Sequence, residues 1–261
     1  MVAWRTKRLQ TKCWNRESAA ATSRFIALGS QLLVLAGLWL AGMSVWTADV
    51  RAAEPLRVGR QPVDRVLFLG NSITLHGPLA SIGWTGNWGM AASAPEKDYV
   101  HLLTARIAQA AGGRPQVKVR NIADFERTLG DYPIAKNLRE ELEFQADLVI
   151  VAIGENAAAP QTEAERTRFL EAVSGLLTEL QRHGRPTILV RSQFWPDDVK
   201  DPLLKQAADA AEVRFVDIRA IGRDPSHAAR AERQIEHAGV AGHPGDKGMA
   251  AIADALWKAL Q

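Results

Sequence analysis

Arg65-Val66-Leu67-Phe68-Leu69-Gly70-Asn71-Ser72 is an apolar run that stops abruptly at a glycine, an amide and a serine. A short β-branched and aromatic run bounded by glycine reads as a buried strand of a parallel sheet. In open α/β sheets, ligands bind just beyond the carboxyl ends of the strands. Ser72 therefore stands where a nucleophile is useful, and the rest of the chain can be searched for its partners.

Four further runs have the same character: Val117–Arg120, Leu148–Ile153, Thr187–Arg191 and Val213–Ile218. Helical patterns separate them. Tyr99–Ala111 carries Leu103 and Ile107 on one face, and Leu138–Phe144 is a shorter segment. Thr162–Gln181 places Phe169, Leu170, Val173, Leu176, Leu177 and Leu180 at helical spacing, behind a Thr162/Glu165 capping-box pattern. Asp201–Ala211 follows, and Gly248–Leu260 closes the chain with Ile252, Leu256 and Trp257 inward. Strand–helix alternation at this rhythm predicts a three-layer α/β/α sandwich around a five-stranded parallel sheet. The stretch from Leu75 to Asp98 breaks the rhythm as a long connection rich in glycine and tryptophan, and such loops are often functional. Its Trp84 and Trp88 have two readings: stacking on a sugar or lining an acyl pocket, or pinning the loop to the body.

The beginning of the chain has a different composition. Residues 1–24 hold six Lys and Arg against Glu17, a net of +5. An apolar stretch from Phe25 to Trp46 follows, then Val50-Arg51-Ala52, spaced for cleavage. Basic, apolar, then small-x-small is the order of a secretory signal. Residues 1–53 are thus expected to be a signal peptide, with an uncleaved membrane anchor as the alternative, and residues 54–261 to be one exported domain, periplasmic or extracellular. The chain is +3 overall, so removing the +5 leaves −2 for everything after residue 24. The sequence pI of about 9.2 mostly reflects the export segment. No basic patch remains to argue for nucleic acid, and membrane contact is expected only through the N-terminal segment. Cys13, the single cysteine, lies in that segment, so the mature domain can form no disulfide.

Each strand-like run ends in polar residues: Ser72, Asn121, Gly154-Glu155-Asn156 and Ser192-Gln193, with Asp217 inside the last. A serine hydroxyl attacks poorly unless a base takes its proton, and histidine is the usual base. Of six histidines, His101 and His183 sit in helical patterns, and His227 and His237 in an irregular segment. His243, in Gly242-His243-Pro244-Gly245-Asp246, is held at the mouth of the final helix. No helical H-x-x-x-H or E-x-x-H pattern argues for a metal, and neither G-x-x-x-x-G-K nor G-x-G-x-x-G is present, so no cofactor is expected.

Gly70-Asn71-Ser72 after the first strand, Gly154-x-Asn156 after the third and His243-Pro244 before the last helix resemble the SGNH (GDSL-like) hydrolases, over roughly Arg65 to Leu260. That resemblance implies a flavodoxin-like fold and ester hydrolysis through a serine acyl-enzyme. By motif, Ser72 would be the nucleophile, His243 the general base and Asn156 a side-chain oxyanion donor, with Asn71 and Gly154 beside them as candidate substrate contacts. An ordinary α/β-hydrolase elbow, G-x-S-x-G, would need glycine at Thr74.

Three positions depart from the pattern. Asn71 stands where Asp is usual, and no glycine follows Asn121 until Gly130, so the backbone oxyanion donor has no name. The family's acid, three residues before the histidine, is Val240 here. Losing that carboxylate costs about 10⁴ in turnover in a well-studied serine protease, partly through a wrong tautomer. A backbone carbonyl, Glu236 or Asp224 is the expected substitute. The resulting expectation is an exported serine esterase with a Ser–His relay, acting on small-molecule or carbohydrate esters. An acyltransferase, or a non-catalytic carbohydrate-binding or cell-envelope protein on the same fold, is the alternative.

Overall fold

The computed structural model describes residues Glu54–Gln261; the expected export segment lies outside them. Five parallel strands form the central sheet: β1 (Arg65–Gly70), β2 (Gln116–Asn121), β3 (Leu148–Ala152), β4 (Thr187–Arg191) and β5 (Arg214–Val216). Their spatial order is β2-β1-β3-β4-β5, the flavodoxin-like order. A two-stranded hairpin, Arg57–Val58 with Gln61–Pro62, precedes them.

The apolar runs hide a two-residue period, because both faces of the sheet are covered. Leu67, Leu69, Val149, Val151, Ile188 and Val190 face one side. There they meet α2 (Ala123–Thr128), α3 (Glu163–Arg182) and α4 (Lys200–Ala210) through Phe125, Phe169, Val173, Leu176 and Leu204. Val66, Phe68, Leu148, Ile150 and Leu189 face the other side. These pack on α1 (Tyr99–Ala111) and α5 (Asp246–Leu260) through Leu103, Ile107, Ile252 and Leu256. Thr162 and Glu165 cap α3 reciprocally, with Oγ1 accepting from the Glu165 N–H at 3.3 Å and Oε2 accepting from the Thr162 N–H at 3.0 Å. The helix expected over Leu138–Phe144 is present over Arg139–Glu143, and a separate four-residue helix, Ile134–Asn137, precedes it.

The order places a topological switch between β1 and β3. The chain leaves β1 outward to β2, with α1 on one face, and returns past β1 to β3 along the other. Loops on either side of such a switch diverge and leave a crevice. The segments bearing Ser72 and Asn156 border it.

The connection from Leu75 to Asp98 is more ordered than its composition suggests. Antiparallel bridges join His76 to Trp88 and Leu79 to Trp84, and a 3₁₀ turn, Ala80–Ile82, closes the tip. The Met90 N–H donates to the Ser72 carbonyl at 2.8 Å, anchoring the returning limb beside the end of β1.

Candidate active site

Ser72 leaves β1 in a tight turn, in which the Thr74 and Leu75 N–H groups both donate to the Asn71 carbonyl at 2.9 Å. Gly70 is required just before it. A Cβ there would stand 2.0 Å from Thr74 Oγ1 and 3.0 Å from the Ala152 carbonyl oxygen. Thr74 is buried and hydrogen-bonded to the Tyr99 hydroxyl at 2.7 Å, and burial pushes that phenol up to about 12. The turn is thus held from beneath by α1.

His243 approaches from the far end of the chain. Its loop is tied to the preceding segment by the Ala229 N–H donating to the His243 carbonyl at 2.8 Å and the Gly245 N–H donating to the His227 carbonyl at 2.9 Å. Nε2 lies 2.9 Å from Ser72 Oγ, and Nδ1 lies 2.7 Å from the Gly239 carbonyl oxygen. A carbonyl only accepts, so Nδ1 carries the proton and Nε2 presents its lone pair to the serine hydroxyl. The Gly239 carbonyl is free for this because it belongs to a single helical turn, Ala238–Ala241, whose last carbonyls have no partner within the turn. The ring is nearly buried, with Trp195 edge-on at 5.0 Å between centroids. Burial pulls its pKa below the ordinary histidine value, outweighing the carbonyl at Nδ1, which favours the cation. The imidazole is therefore neutral at neutral pH, the state a base must have.

The substitute acids considered from the sequence are not at the ring. Asp224 accepts from the Ser226 N–H at 2.9 Å and sits 3.6 Å from His227. Glu236 lines a neighbouring cavity with Ala80–Gly83 and Gln234. The side chain of Val240 is buried with Trp84, Met90 and Ala229.

Asn156 enters from the β3 side. Gly154 has φ +118°, the left-handed region that favours glycine, and a Cβ there would fall 2.9 Å from Gln193 Cγ. This turn brings Asn156 into one pocket of about 350 Å³ with Ser72, His243, Asn121, Arg127 and His76. The amide is gripped at both ends. Oδ1 accepts from Arg127 Nη2 at 3.0 Å, while Glu126 Oε2 accepts from Asn156 Nδ2 at 3.3 Å and from its backbone N–H at 2.6 Å. A guanidinium can only donate and a carboxylate only accept, so the neighbours settle which end of the amide is which. One Nδ2 proton is left over. Two further donors were unnamed in the sequence: the Ser72 N–H has no acceptor among the described residues, whereas the Ala123 N–H is spent on Asn121 Oδ1 at 2.9 Å.

The four expected substrate contacts lie elsewhere. Asn71 is fully buried, its Nδ2 donating to Glu126 Oε1 at 2.9 Å and to Glu155 Oε2 at 2.7 Å. An aspartate could do neither. Gly154 is buried, and its carbonyl accepts from Lys200 Nζ at 2.9 Å. Trp84 and Trp88 take the pinning role: they pack edge-to-face at 5.5 Å, and their indole N–H groups donate to the His76 and Ala92 carbonyls. Trp195, from the loop after β4, packs edge-on against the His243 ring. Ser192, Gln193 and Asp217 also stay out of the pocket. Asp217 pairs with Arg219, which brings its carboxyl down to about 2.

Beneath the pocket, Glu155 and Arg191 form a buried ion pair at 2.6 Å. Burial alone would raise both carboxyls; Arg191 overcomes this for Glu155 and holds it low, whereas Glu126, facing Glu155, stays raised. Among the described residues, no cluster of three or more His, Cys, Asp or Glu side chains is placed to hold a metal ion. Nor is any helix there long and apolar enough to cross a membrane.

The family model for the GDSL-like lipase/acylhydrolase family matches residues 68–251, well over half of the chain. The chain belongs to that family. The enzyme class comes with it: a GDSL-type hydrolase acting on ester bonds. No curated protein sequence matches. Among solved structures, a protein assigned as a GDSL-like lipase from Bacteroides uniformis is 14% identical with a TM-score of 0.50, the alignment covering 76% of this chain and 95% of that one. A second, from Parabacteroides merdae, is 14% identical at a TM-score of 0.50, covering 78% and 100%. The acetyl xylan esterase AlAXEase is 16% identical at 0.48, covering 76% and 100%. The two GDSL-like structures at 0.50 show the shared fold.

Proposed function

We propose that this GDSL-family hydrolase is an exported serine esterase that uses a Ser72–His243 dyad, oriented by the Gly239 carbonyl, on esters of hydroxylated, carbohydrate-like alcohols. The observation that carries the reading is the 2.9 Å contact between Ser72 Oγ and His243 Nε2, with Nδ1 committed to a carbonyl. Ser72 Oγ attacks the ester carbonyl as His243 takes its proton. The negative charge on the carbonyl oxygen is met by the free Asn156 Nδ2 proton and the Ser72 N–H. Collapse breaks the ester C–O bond, His243 protonates the leaving alkoxide, and an acyl-enzyme remains. Water, deprotonated by the same imidazole, then releases the acid and restores the serine.

The substrate class rests on the lining. His76, Asn121, Arg127 and His237 line the pocket together with the apolar Ile82, Met90, Ala123 and Val240, a mixed surface. A second open cavity of about 610 Å³, lined by Ser81, Gln234, Glu236 and His237, adjoins it through Ile82 and His237. The polar lining of that second cavity suits hydroxyl groups better than a long acyl chain. Export rests on the order of residues 1–53. The test is turnover of p-nitrophenyl acetate and acetylated xylo-oligosaccharides by Glu54–Gln261, with labelling by a serine-reactive phosphonate. Ser72→Ala and His243→Ala should abolish both activities, and Ser72→Ala should also abolish labelling. Unchanged turnover in Ser72→Ala rejects the mechanism, and activity on long-chain acyl esters alone rejects the substrate class.

A further inference from the structure

Two residues that no motif marks stand next to each other on α2 and hold the two ends of one amide. Glu126 is buried, although a carboxylate is among the costliest groups to bury. Its two oxygens are spent on three donors, and two of these belong to Asn156. Arg127 is exposed, yet its guanidinium is directed at Asn156 Oδ1. If packing alone were needed beneath the β3 loop, an apolar side chain would serve. A carboxylate below and a guanidinium beside the amide do something packing cannot: they define its χ angles and prevent the flip that would turn Oδ1 toward the pocket. In the flipped state an acceptor would face the developing oxyanion, and its repulsion would replace a donor's stabilisation.

We propose that Glu126 and Arg127 are positioning residues that lock the Asn156 amide with its free proton toward the reacting carbonyl. This rests on the esterase reading above, since it gives Asn156 the role of oxyanion donor. Because both act through Asn156, their loss should appear in kcat, where transition-state interactions are read, and should vanish once the Asn156 amide is gone.

The test is a pair of double-mutant cycles on p-nitrophenyl acetate. Glu126→Gln offers an amide where carboxylate oxygens faced only donors, and should lower kcat by about tenfold or more with KM within about threefold. Arg127→Met, at an exposed position where folding is not at stake, should lower kcat by a smaller factor. In the Asn156→Ala background, each should change kcat by less than about twofold. Losses that multiply with that of Asn156→Ala overturn the proposal, as does full activity in the single variants. A rise in KM alone for Arg127→Met would assign that residue to substrate binding and also overturns it. One readout is independent of catalysis. The Asn156 backbone N–H, 2.6 Å from a carboxylate oxygen, should give a strongly deshielded proton resonance that moves upfield in Glu126→Gln. An unshifted resonance defeats the proposal even if the esterase reading stands. An inactive parent with that resonance present and moving defeats the esterase reading and leaves the clamp in place.

Discussion

The Gly239 carbonyl oxygen lies 2.7 Å from His243 Nδ1, at the place where the family pattern has a carboxylate. A neutral carbonyl keeps the tautomer but lacks the full charge that stabilises an imidazolium. Burial outweighs the carbonyl's partial stabilisation of the cation and leaves His243 with a lowered pKa, so the base works from below its usual range.

The acid limb of kcat/KM should therefore fall below the ordinary histidine value of about 6.5. A group whose folded pKa is depressed also makes stability depend on pH. The stabilisation is complete above the unfolded value and is lost as pH falls through the folded one. Titrating kcat/KM and the melting temperature across the acid range checks both. An acid limb at or above 6.5 contradicts the burial argument.

Glu236→Gln and Asp224→Asn should leave turnover within about twofold, because neither side chain reaches the imidazole; initial rates on p-nitrophenyl acetate decide this. Installing the missing acid should not help either. Val240→Asp would place an unpaired carboxylate among Trp84, Met90 and Ala229. Burying it should cost more than about 2 kcal/mol, seen in chemical denaturation, with no gain in rate.

Asn156→Ala should lower kcat by about 10²–10³, the usual loss for one oxyanion donor. Steady-state kinetics on the same ester test it, and parity with the parent protein removes Asn156 from the site.

Gly154→Ala should be destabilising by about 1–3 kcal/mol, since φ +118° and the Gln193 side chain both resist a Cβ. The melting temperature should fall, and turnover with it, because the turn presents Asn156.

Arg191→Met should be more damaging than its position under the pocket suggests. Glu155 would be left buried without its cation, at a cost of about 3–5 kcal/mol. Equilibrium unfolding in urea measures this, and a loss under 1 kcal/mol would mean the pair is dispensable.

The sheet was legible because its central strands are nearly pure apolar runs; helix Tyr99–Ala111 was found to the residue. The edges were less so. β5 is only Arg214–Val216 rather than Val213–Ile218, since the Asp217 side chain turns back onto the Arg219 N–H at 2.9 Å. Ser72, Asn156 and His243 could be picked out because motifs mark them. Gly239, Glu126 and Arg127 could not, because a main-chain carbonyl has no signature and the other two look like ordinary residues of a short helix. Their significance comes from contacts across as many as 55 positions of sequence. The tryptophans are conspicuous in sequence but open to two readings there, and the contacts of their indole N–H groups favour the one in which the loop uses them to hold itself.

Asn71, suspended between two buried carboxylates, makes positions 71, 126 and 155 a single heritable unit. An aspartate at 71 would bring three acidic groups together with no proton to share unless one became protonated. A lineage exchanging Asn71 for the commoner acid must therefore neutralise Glu126 or Glu155 in the same step, or pass through an intermediate that folds poorly. Among homologous sequences, amide at 71 and paired glutamates at 126 and 155 should travel together.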